Sequence, residues 1–184
     1  MPRVRENYRR HSLVVAETGS GWLGVIWGNR KKIHECEGPS EEAVLDMLRT
    51  FVDESFVTIA KERPAPPSGD EYVHAFRAIV DDLPDSYRAM LKAHYHAPNQ
   101  EITTTALADA AGYSNYSSAN LHYGTLGKML YEVLPIEVEK GSDGQPVYTF
   151  ALATAGDTRD SEERWTWKMR PGVAYALEQL GLTT

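Results

Sequence analysis

The chain opens with short apolar runs broken by turn residues. Leu13-Val14-Val15-Ala16, Trp22-Leu23-Gly24-Val25-Ile26-Trp27 and Lys31-Lys32-Ile33-His34-Glu35-Cys36 are β-prone, and the third alternates. Gly19-Ser20-Gly21 and Gly28-Asn29-Arg30 separate them. The pattern predicts three antiparallel strands. On a regular strand Trp22 and Trp27, five apart, point to opposite faces, so one is core and the other a surface aromatic. Gly38-Pro39-Ser40-Glu41-Glu42 then opens a helix, with Ser40 as N-cap and two acids in the first turn. Val44, Leu45, Leu48, Phe51 and Val52 recur at helical spacing. Residues 1–60 therefore read as a β-β-β-α module with a basic N-terminal tail.

Residues 61–70, KERPAPPSGD, are rich in proline and read as a linker. Beyond it the periodicity turns helical. Tyr72, Phe76, Ile79 and Val80 form one stripe; Tyr87, Met90, Leu91 and Tyr95 form another that breaks at Ala97-Pro98-Asn99. Val147–Leu152 and Trp165–Met169 read as a β-hairpin, and Pro171 opens a last helix carrying Val173, Leu177 and Leu180. The fold class is α+β: a small β-β-β-α module followed by a mainly helical, winged-helix-like domain over residues 71–184.

The segment Ile102–Leu130 carries the strongest functional pattern. A helix-turn-helix needs a short first helix, a tight turn and a second helix crossing steeply. Ala108 supplies a small crossing residue and Gly112 a turn residue tolerant of positive φ. Leu107 and Ala111 are expected to point inward, with Leu121 as their partner on the second helix. An apolar residue usually falls six positions after the glycine; here Ser118 stands there and Ala119 follows, which predicts a turn one residue longer. If the second helix reads DNA, Ser114, Asn115, Tyr116, Ser117, Asn120, His122 and Tyr123 are its candidate contacts, through base edges and phosphates. Two packed helices with a polar outer face are the plainer alternative. No Lys or Arg lies between Lys92 and Lys128. In the hairpin, Trp165, Trp167 and Met169 are expected to face the core and Thr166, Lys168 and Arg170 the outside. The wing loop, Gly156 to Arg164, holds Arg159 and Arg164 against Asp157, Asp160, Glu162 and Glu163, so any phosphate contact shifts to Lys168 and Arg170.

Charge refines this picture. The net charge is −7, which argues against a protein that simply coats nucleic acid. Residues 1–32 nevertheless carry seven Lys/Arg against Glu6 and Glu17. Arg9, Arg10, Arg30, Lys31 and Lys32 are therefore candidate phosphate contacts at the N-terminal end. A solvated basic tail on a capping or dimerising module is the alternative. A single cysteine, Cys36, allows no internal disulfide. No apolar run reaches the length of a membrane helix, and the basic N-terminus lacks the apolar stretch of a signal peptide. A cytoplasmic protein without membrane contact is expected.

Catalytic chemistry finds little footing. His94-x-His96 lacks a second ligand pair at metal spacing, and suits a helix C-terminus. His34 and Cys36 share one strand face without further ligands. There is no P-loop, nucleophile elbow, H-E-x-x-H or zinc-finger spacing. No metal, cofactor or enzymatic activity is expected.

Met90-Leu-Lys-Ala-His-Tyr-His-Ala-Pro98, the run GY-x-NY-x-x-ANL-x-YG-x-LG within Ile102–Leu130, and the closing W-x-MRP-x-VAYALEQLG resemble a region that accompanies HNH endonuclease domains in predicted bacterial restriction proteins. The likeness spans about residues 88–182. The His-Asn-His nuclease motif itself is missing, so the resemblance implies a DNA-targeting module and no catalytic residue. It also implies a phage, mobile-element or defence setting. The N-terminal layout, and the layout alone, is similar to the sheet-plus-helix of plant AP2-type domains and of phage-integrase arm domains. Three readings follow. The first is a regulatory protein that binds double-stranded DNA, as a monomer or a homodimer. The second is an inhibitor or adaptor, such as an anti-CRISPR protein, that occupies a host nucleic-acid-binding complex. The third is a divergent nuclease.

Overall fold

The computed structural model describes residues 3–28, 30–159 and 165–184, with only the backbone of Thr158 and Arg159. The chain divides into two compact units, Met1–Glu62 and Arg63–Thr184. Among the described residues no helix is long and apolar enough to cross a membrane.

The first unit is a four-stranded antiparallel meander, not a three-stranded one: β1 (Arg3–Tyr8), β2 (His11–Thr18), β3 (Gly21–Gly28) and β4 (Lys31–Gly38), in that spatial order. The segment expected to be a basic tail is β1. It carries only two apolar side chains, Val4 and Tyr8, but both pack against the core on one face. Glu6, between them, receives two hydrogen bonds from Arg49 at 2.6 and 3.1 Å. The β1–β2 turn is Arg9-Arg10, with both residues at positive φ, 42° and 66°. A two-residue hairpin loop demands that conformation, and sequences usually meet the demand with Asn-Gly.

One helix, α1 (Glu41–Glu62), covers one face of this sheet. Ser40 caps it, its hydroxyl accepting from the amide of Ala43 at 3.2 Å. The core joins Leu13, Val15 and Ile26 to Val44, Leu48 and Val52. α1 continues to Glu62, past the expected limit at residue 60, with Phe56 and Ala60 buried.

The second unit contains α2 (Gly69–Ile79), α3 (Asp85–His96), β5 (Glu101–Ile102), α4 (Thr104–Ala111), α5 (Tyr116–Tyr131), β6 (Ala153–Arg159), β7 (Trp165–Met169) and α6 (Pro171–Gln179). Its small antiparallel sheet has the order β5-β7-β6. From α3 onward the succession is helix, strand, helix, helix, strand, strand, with the first strand beside the last. That is a winged-helix arrangement. Tyr72, Phe76, Met90, Leu107, Tyr123, Leu126, Leu152 and Leu177 sit in one continuous core.

The first hairpin strand is displaced from its expected place. Tyr148–Ala151 is a 3-10 turn and β6 begins only at Ala153. The cause lies on α5: a Cβ on Gly127 would stand 2.2 Å from the carbonyl oxygen of Tyr148. The missing side chain lets this turn lie directly on the helix. Along β7 the expected alternation also fails. Trp165 is 55% exposed, whereas Thr166 is buried and donates to Glu101.

Candidate nucleic-acid interface

The helix-turn-helix is assembled by local hydrogen bonds. Thr103 caps α4, accepting from the amide of Ala106 at 3.1 Å. Gly112 ends α4 in the left-handed conformation, φ 71°, and the amide of Tyr113 returns to the carbonyl of Ala108 at 2.9 Å. Asn115 then caps α5, its side-chain oxygen accepting from the amide of Ser118 at 2.9 Å. Leu107 and Ala108 are buried, and the first fully buried residue of α5 is Ala119, seven positions after Gly112.

The inner stripe of α5 is Ala119, Tyr123, Leu126, Gly127 and Leu130. Leu121 does not belong to it. It was expected to meet Leu107 and Ala111, yet it is 68% exposed. Two residues along a helix from Ala119 is a rotation of about 200°, which points it away from the core. Helical-wheel arithmetic from Ala119 carries this signal; apolar character alone misled.

Tyr123 was expected on the outside and is wholly buried. Its hydroxyl lies 2.6 Å from Nδ1 of His94, whose Nε2 lies 2.8 Å from the carbonyl oxygen of Trp167. A carbonyl only accepts, so Nε2 carries the proton and Nδ1 accepts from the tyrosine. This links α3, α5 and β7 through one neutral ring. Burial lowers the His94 pKa to about 4 and raises that of the Tyr123 phenol. With both ring nitrogens engaged, His94 has no lone pair left for a metal. His122 is half-buried, stacked on Tyr113 at 4.8 Å and near the Tyr87 hydroxyl at 3.2 Å, so it braces the turn.

What α5 presents to solvent is Tyr116, Ser117, Asn120, Leu121, Thr125 and Lys128, with Ser114 and Asn115 in the turn before it. This face offers hydroxyls, one free-standing carboxamide and two large apolar surfaces, with a single cation at its far end. Asn115 is exposed, but its carbonyl oxygen is committed to the cap. On β7, Lys168 is exposed and lies 3.6 Å from Asp157. Arg170 is half-buried and donates from Nε to the carbonyl of Phe150 at 2.7 Å, which makes it a structural tie more than an open contact. The wing tip, residues 160–164, lies outside the described residues, and so do its expected Arg164, Asp160, Glu162 and Glu163.

In the first unit the basic candidates separate into two kinds. Arg9 is anchored: Nε donates to Asp53 at 2.6 Å and the guanidinium lies 4.5 Å from the Phe56 ring centre. It holds the hairpin to α1 and was wrongly expected at a phosphate. Arg10, Arg30, Lys31 and Lys32 are exposed at the two hairpin turns that share one end of the sheet. Arg10 and Arg30 line one shallow cleft with Asn7, His11 and Trp27. Lys32 also pairs with Glu35 at 2.8 Å. Trp27 is 41% exposed here, whereas Trp22 packs against the core.

Among the described residues no group of three or more His, Cys, Asp or Glu is placed to hold a metal ion. His34 stacks on Phe51 at 3.9 Å. Comparison of the chain with protein-family models, with curated proteins and with solved structures found no match.

Proposed function

We propose that this protein binds double-stranded DNA, with α5 entering the major groove and the basic turn end of the N-terminal sheet contacting phosphates. The observation that carries the reading is the exposed face of α5. It is framed by a helix-turn-helix and brings the exposed Asn120, Ser117 and Tyr116 together. Asparagine can pair bidentately with adenine, and hydroxyls reach phosphates and base edges. The second support is the pair of turns bearing Arg10 and Arg30, both at positive φ, 66° and 63°. Side chains other than glycine hold this conformation at a cost of about 1 kcal/mol, so arginine at both turns is a concession that a charge requirement explains. The HNH-associated resemblance supports a phage, mobile-element or defence setting.

A second reading rests on Leu121 and Tyr116. Two exposed apolar side chains on one neutral helix face also suit a protein partner, and the overall acidity suits an inhibitor that mimics nucleic acid.

Fluorescence anisotropy with a mixed-sequence duplex at about 50 mM and 200 mM salt tests the proposal. Binding is expected at the lower salt and a steep loss at the higher. Replacing Arg10, Arg30, Lys31 and Lys32 by alanine should flatten the salt dependence, while Asn120→Ala should weaken selected sites by about tenfold and leave the slope unchanged. Failure of any duplex to bind at the lower salt would sink the DNA reading and favour the protein partner.

A further inference from the structure

The sheet of the first unit has two faces, and α1 occupies one. Leu13, Val15 and Ile26 point to α1, and so do Val4, Tyr8 and Cys36. By alternation the other face carries Arg3, Arg5 and Asn7 on β1, Val14 and Ala16 on β2, Leu23, Val25 and Trp27 on β3, and Glu35 and Glu37 on β4. Among the described residues of the unit no second layer covers it. Its centre is apolar, which is a surface that sheets ordinarily bury against another layer.

The register arranges the charges in rows. One row across the sheet reads Arg3, Ala16, Leu23, Glu37; the next reads Arg5, Val14, Val25, Glu35. One edge of the face is therefore basic, the other acidic, and the middle apolar in both rows. Arg3, Arg5, Glu35 and Glu37 are all exposed. Among the described residues no ion pair involves Arg3, Arg5 or Glu37.

We infer that this face is the interface of a homodimer, packed sheet to sheet about a two-fold axis parallel to the strands. That axis exchanges the two edges and preserves height along the strands. Arg3 of one copy then faces Glu37 of the other, and Arg5 faces Glu35, twice over by symmetry. A two-fold perpendicular to the strands would set Arg3 and Arg5 against themselves, so the charges select one arrangement. Aligned sheets rotate by about 30° against each other, an offset that arginine side chains span. Four strands about 4.8 Å apart and about seven residues long give a footprint of roughly 450 Å² per copy. The total, roughly 900 Å², falls below the usual range for a stable interface, so the dimer is a weak one. The same axis sets the Arg10 and Arg30 turns of both copies at one end of the dimer. The inference stands whether or not α5 contacts DNA.

Sedimentation velocity on the full chain between about 5 and 500 µM tests it. Wild type should shift from monomer to dimer across that range. The variant Arg3→Glu/Arg5→Glu and the variant Glu35→Arg/Glu37→Arg should each associate at least tenfold more weakly. Mixed in equal amounts, they should form a heterodimer as readily as wild type, because each supplies what the other lacks. Circular dichroism checks that both are folded; if either is not, the milder pair Arg5→Glu and Glu35→Arg gives the same comparison. A wild type that stays monomeric throughout, variants that dimerise unchanged, or a mixture no better than its components would each overturn the inference.

Discussion

His94 is buried, neutral and satisfied at both nitrogens, and that has a consequence for stability. In an unfolded chain a histidine titrates near 6.5. In the folded protein burial lowers His94 to about 4. Between those values the unfolded state binds the extra proton, so the stability contributed is complete above about pH 6.5 and drains away as pH falls toward 4. The loss amounts to about 2 to 3 kcal/mol by pH 4.5. Glutamine can still donate to Trp167 and accept from Tyr123 but does not titrate. Urea unfolding of wild type and His94→Gln should therefore converge as pH drops from 7 to 4.5. Parallel curves would contradict the assignment. None of this was legible in the H-x-H spacing, which places His94 near a helix C-terminus and says nothing of its partners, because those come from residues 29 and 73 positions away.

At the scale of elements, the two asparagines of the helix-turn-helix have different tasks. Asn115 spends its carbonyl oxygen on the cap of α5, whereas Asn120 stands on the open face. Asn115→Ala should cost about 1 kcal/mol of unfolding free energy, the usual price of a lost N-cap. Asn120→Ala should stay within about 0.5 kcal/mol of wild type, as exposed substitutions do. Thermal melts of the two variants distinguish them, and the reverse order would show that the cap lies elsewhere. The helix-turn-helix was readable because its signals are local: a small crossing residue at Ala108 and a turn glycine at Gly112; its two caps, Thr103 and Asn115, went unread. Which side of α5 faces outward was less so. Leu121 and Tyr123 carry the opposite of their expected exposure, since a tyrosine can be buried when its hydroxyl finds a partner and a leucine can be left out when its angle is wrong.

For the whole molecule, the two units keep separate hydrophobic clusters, one built on the meander and α1, the other on the winged-helix arrangement. Each cluster draws only on residues of its own unit. A fragment of residues 63–184 should thus fold cooperatively, with helical circular dichroism and a single melting transition. It starts at Arg63, which keeps the ion pair to Glu71 at 2.5 Å and the capping box of α2. A fragment that stays unfolded would mean that the second core is incomplete by itself. The division also matters for charge, because the exposed basic turns sit in the first unit and α5, with Lys128 as its one Lys or Arg, in the second.

The sequence alone determined the α+β class, the proline-rich break, the meander-then-helix order and the helix-turn-helix, since these depend on short-range periodicity and turn chemistry. It missed β1, whose alternation is masked by charge, and it misplaced β6, whose start is decided by a close approach to Gly127. Only the tertiary structure decided which polar residues are open and which are consumed. Arg9, Arg170, His122 and Tyr123 looked available in one dimension and are tied to partners far along the chain. The paired rows of arginine and glutamate likewise exist only in the register, because strand pairing brings residues thirty or more positions apart onto one face.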